Sequence, residues 1–365
     1  MKLDEFLNLD TTLDRKKRIV ILGNYSGDNV GDNAILYTML HDLTSSEMIS
    51  HDDTITIPTR FPDKIKSVFP PSTPQVHAAP TSAFFKLIGL LARGNTFVLG
   101  GGTIFSQYAG PFVYVVCPFL LLMRLFGKRI YVYSLGYEKS TPLLIRLAIT
   151  PCFALAHRVS VRDERSRDNL RSVQRFRPIE LVPDPVLRIT DYLDVPRAKA
   201  AQKPYITTVF NAVKQIDTAT QITAYADLIE AIAKDNKKMD IHIGVFYEAF
   251  DLELNQQLMT ALVKRGIARK RMRLITTTDL VSWCSELRHA ELVLAQRLHA
   301  TVLSYVLDAC FFALSYQPKC EAFITAHDIT QWTDLNEFID NSQLYTRRIA
   351  SLITANKDQG GASSG

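Results

Sequence analysis

The sequence predicts an α/β protein of two doubly wound domains, each a parallel sheet covered by helices, facing each other across a cleft. Three observations predict it. Short apolar runs rich in β-branched residues alternate with helix-like segments along the whole chain, which is the pattern of parallel sheets. The runs fall into two series, separated by a polar stretch that contains Pro196 and Pro204. The 365 residues are 47% hydrophobic and 22% charged, enough apolar material and length for two cores.

In chain order, the first series places strands at 18–23, 54–57, 96–100, 129–134, 159–162 and 179–182. The second places them at 205–210, 240–246, 272–276, 291–295 and 310–314. The expected organisation is an N-terminal extension (1–17), a Rossmann-like domain (18–190), a linker (191–204), a second Rossmann-like domain (205–350) and a disordered, low-complexity tail (351–365). The apolar fraction excludes a disordered chain, and scattered glycine excludes a collagen-like fibre.

Charge and cysteine narrow the class further. Lysine and arginine number 42 against 37 acids, a net charge of +5, too mild for a nucleic-acid partner. The run at 264–273, KRGIARKRMR, carries six basic residues and no acid, and reads as a solvated face or a contact with an anionic surface. Five scattered cysteines with no CxxC fit reduced thiols in the cytoplasm and argue against structural zinc. No Asp/Glu/His cluster reads as a metal site, so no metal or cofactor is expected. The N-terminus alternates acids with leucine, so no secretory leader is expected. Residues 96–123 lack charge, but glycines and Pro111 interrupt them, and the apolar run at 112–126 is shorter than the ~20 residues that span a bilayer. A buried strand followed by an apolar helix is the expectation, with peripheral membrane contact as a further possibility.

Glycine is distributed unevenly, with 11 of 16 between Gly23 and Gly136. The first strand leads into NYSGDNVGDNAIL, which turns helical. The spacing is neither GxGxxG nor GxxxxGK[ST], so neither nucleotide fingerprint is predicted. A glycine-rich turn into a helix still exposes backbone N–H groups at the positive end of the helix dipole, with Asp32 or Asn33 as the cap. Asn29, Gly31 and Asp32 are therefore expected to grip an anion or sugar hydroxyls, with plain turn chemistry as the alternative. Gly100, Gly101 and Gly102 follow a buried strand as a second loop, and close backbone approach to a ligand accounts for three adjacent glycines. A third strand ends at Gly136 and Tyr137.

Charged residues follow later strands. Arg162, before Asp163, is placed to clamp a carboxylate or phosphate in a two-pronged fork, or to pair locally with the neighbouring acids. Asp184 before Pro185 reads as a turn. The sharpest cluster is Gln296-Arg297-Leu298-His299-Ala300, directly after an apolar strand. The next strand ends in Tyr316-Gln317-Pro318-Lys319, so two strand ends supply Arg297, His299 and Lys319.

Together these motifs resemble the polysaccharide pyruvyl transferase family. The pattern is N-x-G-D-x-A at 29–34, G-G-G at 100–102, V-R-D-x-x-S at 161–166, D-P at 184–185, R-L-H-A at 297–300 and Y-x-P-K at 316–319, in that order. One departure is the glycine-proline loop usual after the third strand, which here reads Leu135-Gly136-Tyr137-Glu138-Lys139. The resemblance implies a GT-B-like fold, phosphoenolpyruvate as donor and co-substrate, and a glycan or lipid-linked oligosaccharide as acceptor. It also implies that Arg162, Arg297, Leu298, His299 and Lys319 bind the donor or act on it.

The chemistry agrees from the residues alone. A donor carrying a carboxylate and a phosphate calls for permanent cations, best supplied by arginine forks. Adding a hydroxyl across its double bond calls for proton transfer, to which histidine is suited. His299, Asp32 and Lys319 are the catalytic candidates, and Gly101 and Gly102 join Asn29, Gly31 and Asp32 on the acceptor or anion-binding side. Two other classes fit the architecture: a glycosyltransferase or epimerase using a nucleotide sugar, and a catalytically silent glycan-binding protein.

Overall fold

The computed structural model describes the chain except residues 9–15, 47–48, 71–74, 82–87, 90–91, 106–111, 140, 174–176, 196–202 and 363–365. The chain divides into two compact units: Met1–Gly27 with Asp32–Tyr192, and Asp28–Gly31 with Leu193–Gly365. Half of the expected linker, residues 196–202, lies outside the described residues.

The first unit holds a seven-stranded sheet of β1 (Arg18–Leu22), β2 (Thr54–Thr59), β3 (Val76–Pro80), β4 (Thr96–Phe105), β5 (Arg129–Tyr137), β6 (Arg158–Val161) and β7 (Ile179–Leu181). Their order is β3-β2-β1-β4-β5-β6-β7, with every pairing parallel. The second unit holds six strands: β8 (Tyr205–Val209), β9 (Asp240–Gly244), β10 (Met272–Ile275), β11 (Leu292–Ala295), β12 (Phe311–Ser315) and β13 (Trp332–Asp334). Their order is β10-β9-β8-β11-β12-β13, again all parallel.

Both sheets thus have the doubly wound order, in which the winding reverses beside the first strand. The reversal falls between β1 and β4 in one sheet and between β8 and β11 in the other. Loops at the carboxyl ends of those strands are where such folds bind ligands. Central parallel strands are covered on both faces, so they read as continuous apolar runs. Every residue of β8 and β11 is buried, and Val20, Leu22, Phe97, Leu99, Ile130 and Val132 form the matching core of the first sheet.

Several local features differ from the sequence expectation. The edge strands β3 and β13 were not anticipated, because β3 alternates buried with exposed residues and β13 is three residues long. Gly100–Gly102 do not form a loop after a strand. They lie inside β4, which stays paired to β5 and shifts register between Gly102 and Phe105. The helix after β1 begins at Val30, so neither Asp32 nor Asn33 caps it. Asn29 does, its Oδ1 accepting the Gly31 N–H at 3.0 Å.

The N-terminal residues are more than an extension. The helix Leu3–Leu7 buries Leu3, Phe6 and Leu7, and the Leu3 N–H donates to Asp42 Oδ2 at 2.9 Å. At the other end the helix Ser342–Ala362 continues past residue 350 into the segment expected to be disordered, because Ile349 and Ile353 are buried in the second core.

Candidate active site

In the first unit, the glycine turn, the triple glycine and Arg162 are assembled around the end of β4. Tyr25, buried in the turn after β1, donates its hydroxyl to the Gly100 carbonyl at 2.5 Å. Gly101 and Gly102 have φ of 73° and 89°, the left-handed region that glycine enters without steric cost. A Cβ on Gly101 would lie 2.4 Å from both the Tyr25 hydroxyl and Ile35 Cγ2. Asp32, in the first turn of its helix, accepts from Asn24 Nδ2 at 3.0 Å, and its Oδ1 is 3.6 Å from where a Gly102 Cβ would stand. Burial raises the Tyr25 phenol well above its ordinary value, and the negative charges of Asp32 and Asp184 add to the shift. Tyr25 is therefore a neutral hydroxyl that holds the Gly100 carbonyl within β4.

Arg162 follows β6 with only 6% of its side chain exposed. Its guanidinium donates from Nε to Asp163 (3.3 Å), from Nη1 to Asp184 (3.2 Å) and from Nη2 to Thr103 (3.3 Å). Gly136 makes room for it, since a Cβ there would sit 3.0 Å from Arg162 Cζ and 2.6 Å from Thr103 Oγ1. The local pairing with acids therefore exists, and Asp184 is more than a turn residue. It pairs with Arg162 while its Oδ1 caps the short helix Pro185–Asp191 through the Val186 N–H. Asp163 likewise caps the helix Glu164–Arg171 through the Ser166 N–H at 2.6 Å. One cation faces two carboxylates here, so the guanidinium is rigidly aimed.

In the second unit, the reversal between β8 and β11 carries Gln296, Arg297 and His299. Gln296 is buried and closes the two strand ends, accepting from the Asn211 N–H at 3.2 Å and donating to the Asn211 carbonyl at 3.1 Å. Tyr225 adds a hydroxyl bond to the same amide at 3.0 Å. This fixed amide sets the first turn of the helix Leu298–Val306, with Arg297 at its N-cap position.

Arg297 forms a fork on Asp251: Nε donates to Oδ2 at 2.7 Å and Nη2 to Oδ1. Asp251 is fully buried in the first turn of the helix Glu248–Lys264, where it also accepts the Tyr247 N–H at 2.9 Å. Burial pushes its carboxyl up, against the pull of Arg297 and the backbone N–H groups of Tyr247 and Phe246. The Tyr247 ring lies 5.7 Å from Arg297 Cζ, within cation–π range.

The same stretch holds the segment Asp28–Gly31. Asn29 forms an antiparallel bridge with Tyr247, and the Val30 N–H donates to the Phe246 carbonyl at 2.9 Å. Gly31 then meets His299 directly. A Cβ on Gly31 would stand 2.3 Å from His299 Nδ1 and 2.8 Å from its Cβ, too near the root of the side chain for the ring to swing aside. The first and fifth motifs of the sequence are thus in contact, and Gly31 is the surface on which the imidazole rests.

Lys319, half-buried, stands in the first turn of the helix Pro318–Ala326 after β12, the strand beside β11. Leu298 is buried in the turn between Arg297 and His299. Asp251, Tyr247, Tyr25 and Thr103 were not singled out from the sequence. The Arg297 and Arg162 contacts join residues 46 and 59 positions apart, and no local spacing announces them. No group of three His, Cys, Asp or Glu side chains could hold a metal ion among the described residues. None of the five cysteines is in a disulfide.

Comparison with solved structures places the fold beside UDP-GlcNAc 2-epimerases. The enzyme from Methanocaldococcus jannaschii, in complex with UDP-GlcNAc and UDP, is 10% identical with a TM-score of 0.56, covering 91% of this chain and 93% of its own. The enzyme from Neisseria meningitidis, bound to UDP-GlcNAc, is 10% identical with a TM-score of 0.56, covering 95% and 99%. The S. aureus MnaA–UDP structure is 11% identical with a TM-score of 0.57, covering 92% and 91%. At such identities the likeness establishes the architecture alone. No curated protein matches the chain by sequence. The model of the polysaccharide pyruvyl transferase family matches residues 29–318, which include all six ordered motifs but the last residue of the sixth. The chain therefore belongs to the polysaccharide pyruvyl transferase family.

Proposed function

We propose that the protein is a phosphoenolpyruvate-dependent ketal transferase that joins pyruvate to two hydroxyls of one sugar in a cell-surface polysaccharide or its precursor. The observation that carries this reading is the seating of His299 on Gly31 beside Arg297, in a chain of this family. A proton carrier of fixed position stands two residues from a cation of fixed orientation, which is what addition to an anionic enol ester requires.

In the proposed reaction a sugar hydroxyl adds to C2 of the donor while C3 takes a proton from His299. The hydroxyl proton passes to a base, for which Asp32 is the candidate. The C2–O bond to phosphate then breaks, with Lys319 and arginine stabilising the charge on the leaving group. The second hydroxyl attacks C2, its proton leaves with the phosphate, and the cyclic ketal closes. Arg297 and Arg162 bind the donor's carboxylate and phosphate, and Leu298 walls the donor site. Asn29, Gly31, Asp32, Gly101 and Gly102 serve the acceptor side, with Asp32 supplying the one carboxylate. No metal or cofactor has a part in this scheme.

The test is incubation with phosphoenolpyruvate and a panel of glycosides, reading phosphate release and donor binding. Phosphate release with at least one acceptor is expected. Neither release nor donor binding would overturn the reading. A nucleotide-sugar enzyme is the second reading, favoured by the fold likeness to UDP-GlcNAc 2-epimerases. It requires thermal stabilisation by UDP, GDP or CMP, which the ketal transferase does not.

A further inference from the structure

Helices that cover a parallel sheet ordinarily bury one apolar stripe and show water a polar one. Two neighbouring helices of the first unit break this rule. Phe112–Leu125 turns Tyr114, Pro118, Leu122 and Leu125 outward at intervals of three and four, and Phe126 follows. Leu143–Leu155 turns out Leu143, Leu144, Leu147 and Leu155. Leu125 is 79% exposed, Phe126 68%, Leu143 69% and Leu147 62%. These two helices and Phe126 hold eight of the sixteen large apolar side chains that stand exposed among the described residues. The helices lie side by side: Arg124 Nε donates to the Leu155 carbonyl at 3.1 Å and the Cys152 thiol to the Cys117 carbonyl at 3.2 Å. Their inner faces are apolar as well, with Cys117, Leu120, Ile149 and Phe153 in the core.

The charge carried by this stretch is mostly of one sign. Between Phe112 and Leu155 the chain has five lysines and arginines and one acid, Glu138. Arg124, Lys128, Arg129 and Arg146 stand on or directly after the two helices. Arg124 and Arg146 also donate to backbone carbonyls, and the basic run at 264–273 in the second unit is more fully engaged. Arg265 pairs with Asp227 and Glu230, and Arg269 and Arg271 bond backbone carbonyls.

We propose that the outer face of these two helices docks on an anionic lipid bilayer, lying in the interface rather than crossing it. An apolar face rimmed by basic residues matches that partner in both terms, since the side chains enter the acyl boundary while lysine and arginine meet the headgroups. A second copy of the chain would meet the same positive rim, and like charge opposes that pairing. Helices of 14 and 13 residues are about 20 Å long. No helix among the described residues is long and apolar enough to cross a membrane.

The experiment is co-sedimentation of the full chain with vesicles of phosphatidylcholine alone or mixed with phosphatidylglycerol, alongside its mass by light scattering. Binding to the mixed vesicles is expected, about tenfold or more weaker on phosphatidylcholine alone, and weakened by salt. The double variant Leu144→Glu/Leu147→Glu changes only exposed side chains and should abolish binding with an unchanged circular dichroism spectrum. Lys128→Gln, which leaves the apolar face intact, should weaken binding about fivefold, the worth of one basic residue at such a surface. Absence of binding to mixed vesicles overturns the proposal, as does binding that both variants leave unchanged. A dimer that the double variant dissociates, without vesicle binding, assigns the face to a second copy instead.

Discussion

The two sheets share one winding order, yet their points of reversal are furnished differently. In the first unit the reversal between β1 and β4 is built from backbone: Gly101 and Gly102 in the left-handed region, a buried tyrosine hydroxyl beneath them, and an arginine balanced by two carboxylates. In the second, the reversal between β8 and β11 is built from side chains: a buried glutamine, an arginine on one buried carboxylate, and a histidine against a glycine. Topology supplies the position of a site, and local chemistry decides what the position can do. The first arrangement fixes a backbone path and aims one guanidinium. The second suits proton transfer beside a fixed cation.

The sharpest way to break this contrast is to remove the proton carrier. His299→Ala should lower turnover by about 10²–10⁴-fold while leaving donor affinity within a few-fold, as steady-state kinetics and calorimetry would show. Gly31→Ala should come next. Its methyl group would stand 2.3 Å from His299 Nδ1, and displacing the imidazole by even 1 Å should cost about 10²-fold in turnover. In the double variant the losses should not add, because both act through the same ring.

Asp251→Asn tests the orientation of Arg297. It removes the charge from a buried fork and should raise the KM for phosphoenolpyruvate about tenfold with a smaller change in kcat. Asp251→Glu should recover part of it, which loss of packing alone would not predict. A matched change in the first unit acts on stability. Gly101→Ala imposes a side chain at φ 73° and against Tyr25, and should cost about 1–3 kcal/mol, read as a lower Tm.

The smallest effect belongs to Tyr25→Phe. Losing the hydroxyl bond to Gly100 should cost about 1 kcal/mol at neutral pH. The folded phenol titrates above its unfolded value, so its contribution is complete below pH ~10 and fades as pH rises above that. Denaturant melts of the two proteins should therefore converge at alkaline pH.

How much of this the sequence reveals depends on the range of the interaction. Central strands such as β8 and β11 are legible because burial on both faces demands continuous apolar runs. The edge strands β3 and β13 are not, whereas β7, equally short and exposed, is announced by Ile179, Leu181 and Val182. Arg162, Arg297 and His299 stand out as polar groups at the ends of apolar strands. Their partners do not: Asp184 reads as a turn, Asp251 as one more acid in a helix, and nothing local joins Gly31 to His299. The triple glycine signals unusual backbone correctly. Yet only the pairing of β4 with β5 reveals that the glycines lie inside the strand, directly before its register shift.

The most direct test of the central claim is phosphate release from phosphoenolpyruvate in the presence of a competent glycoside, comparing the native protein with His299→Ala. Release with formation of the pyruvate ketal is expected from the native chain, and donor binding without release from the variant. Release by the variant at the native rate would contradict it.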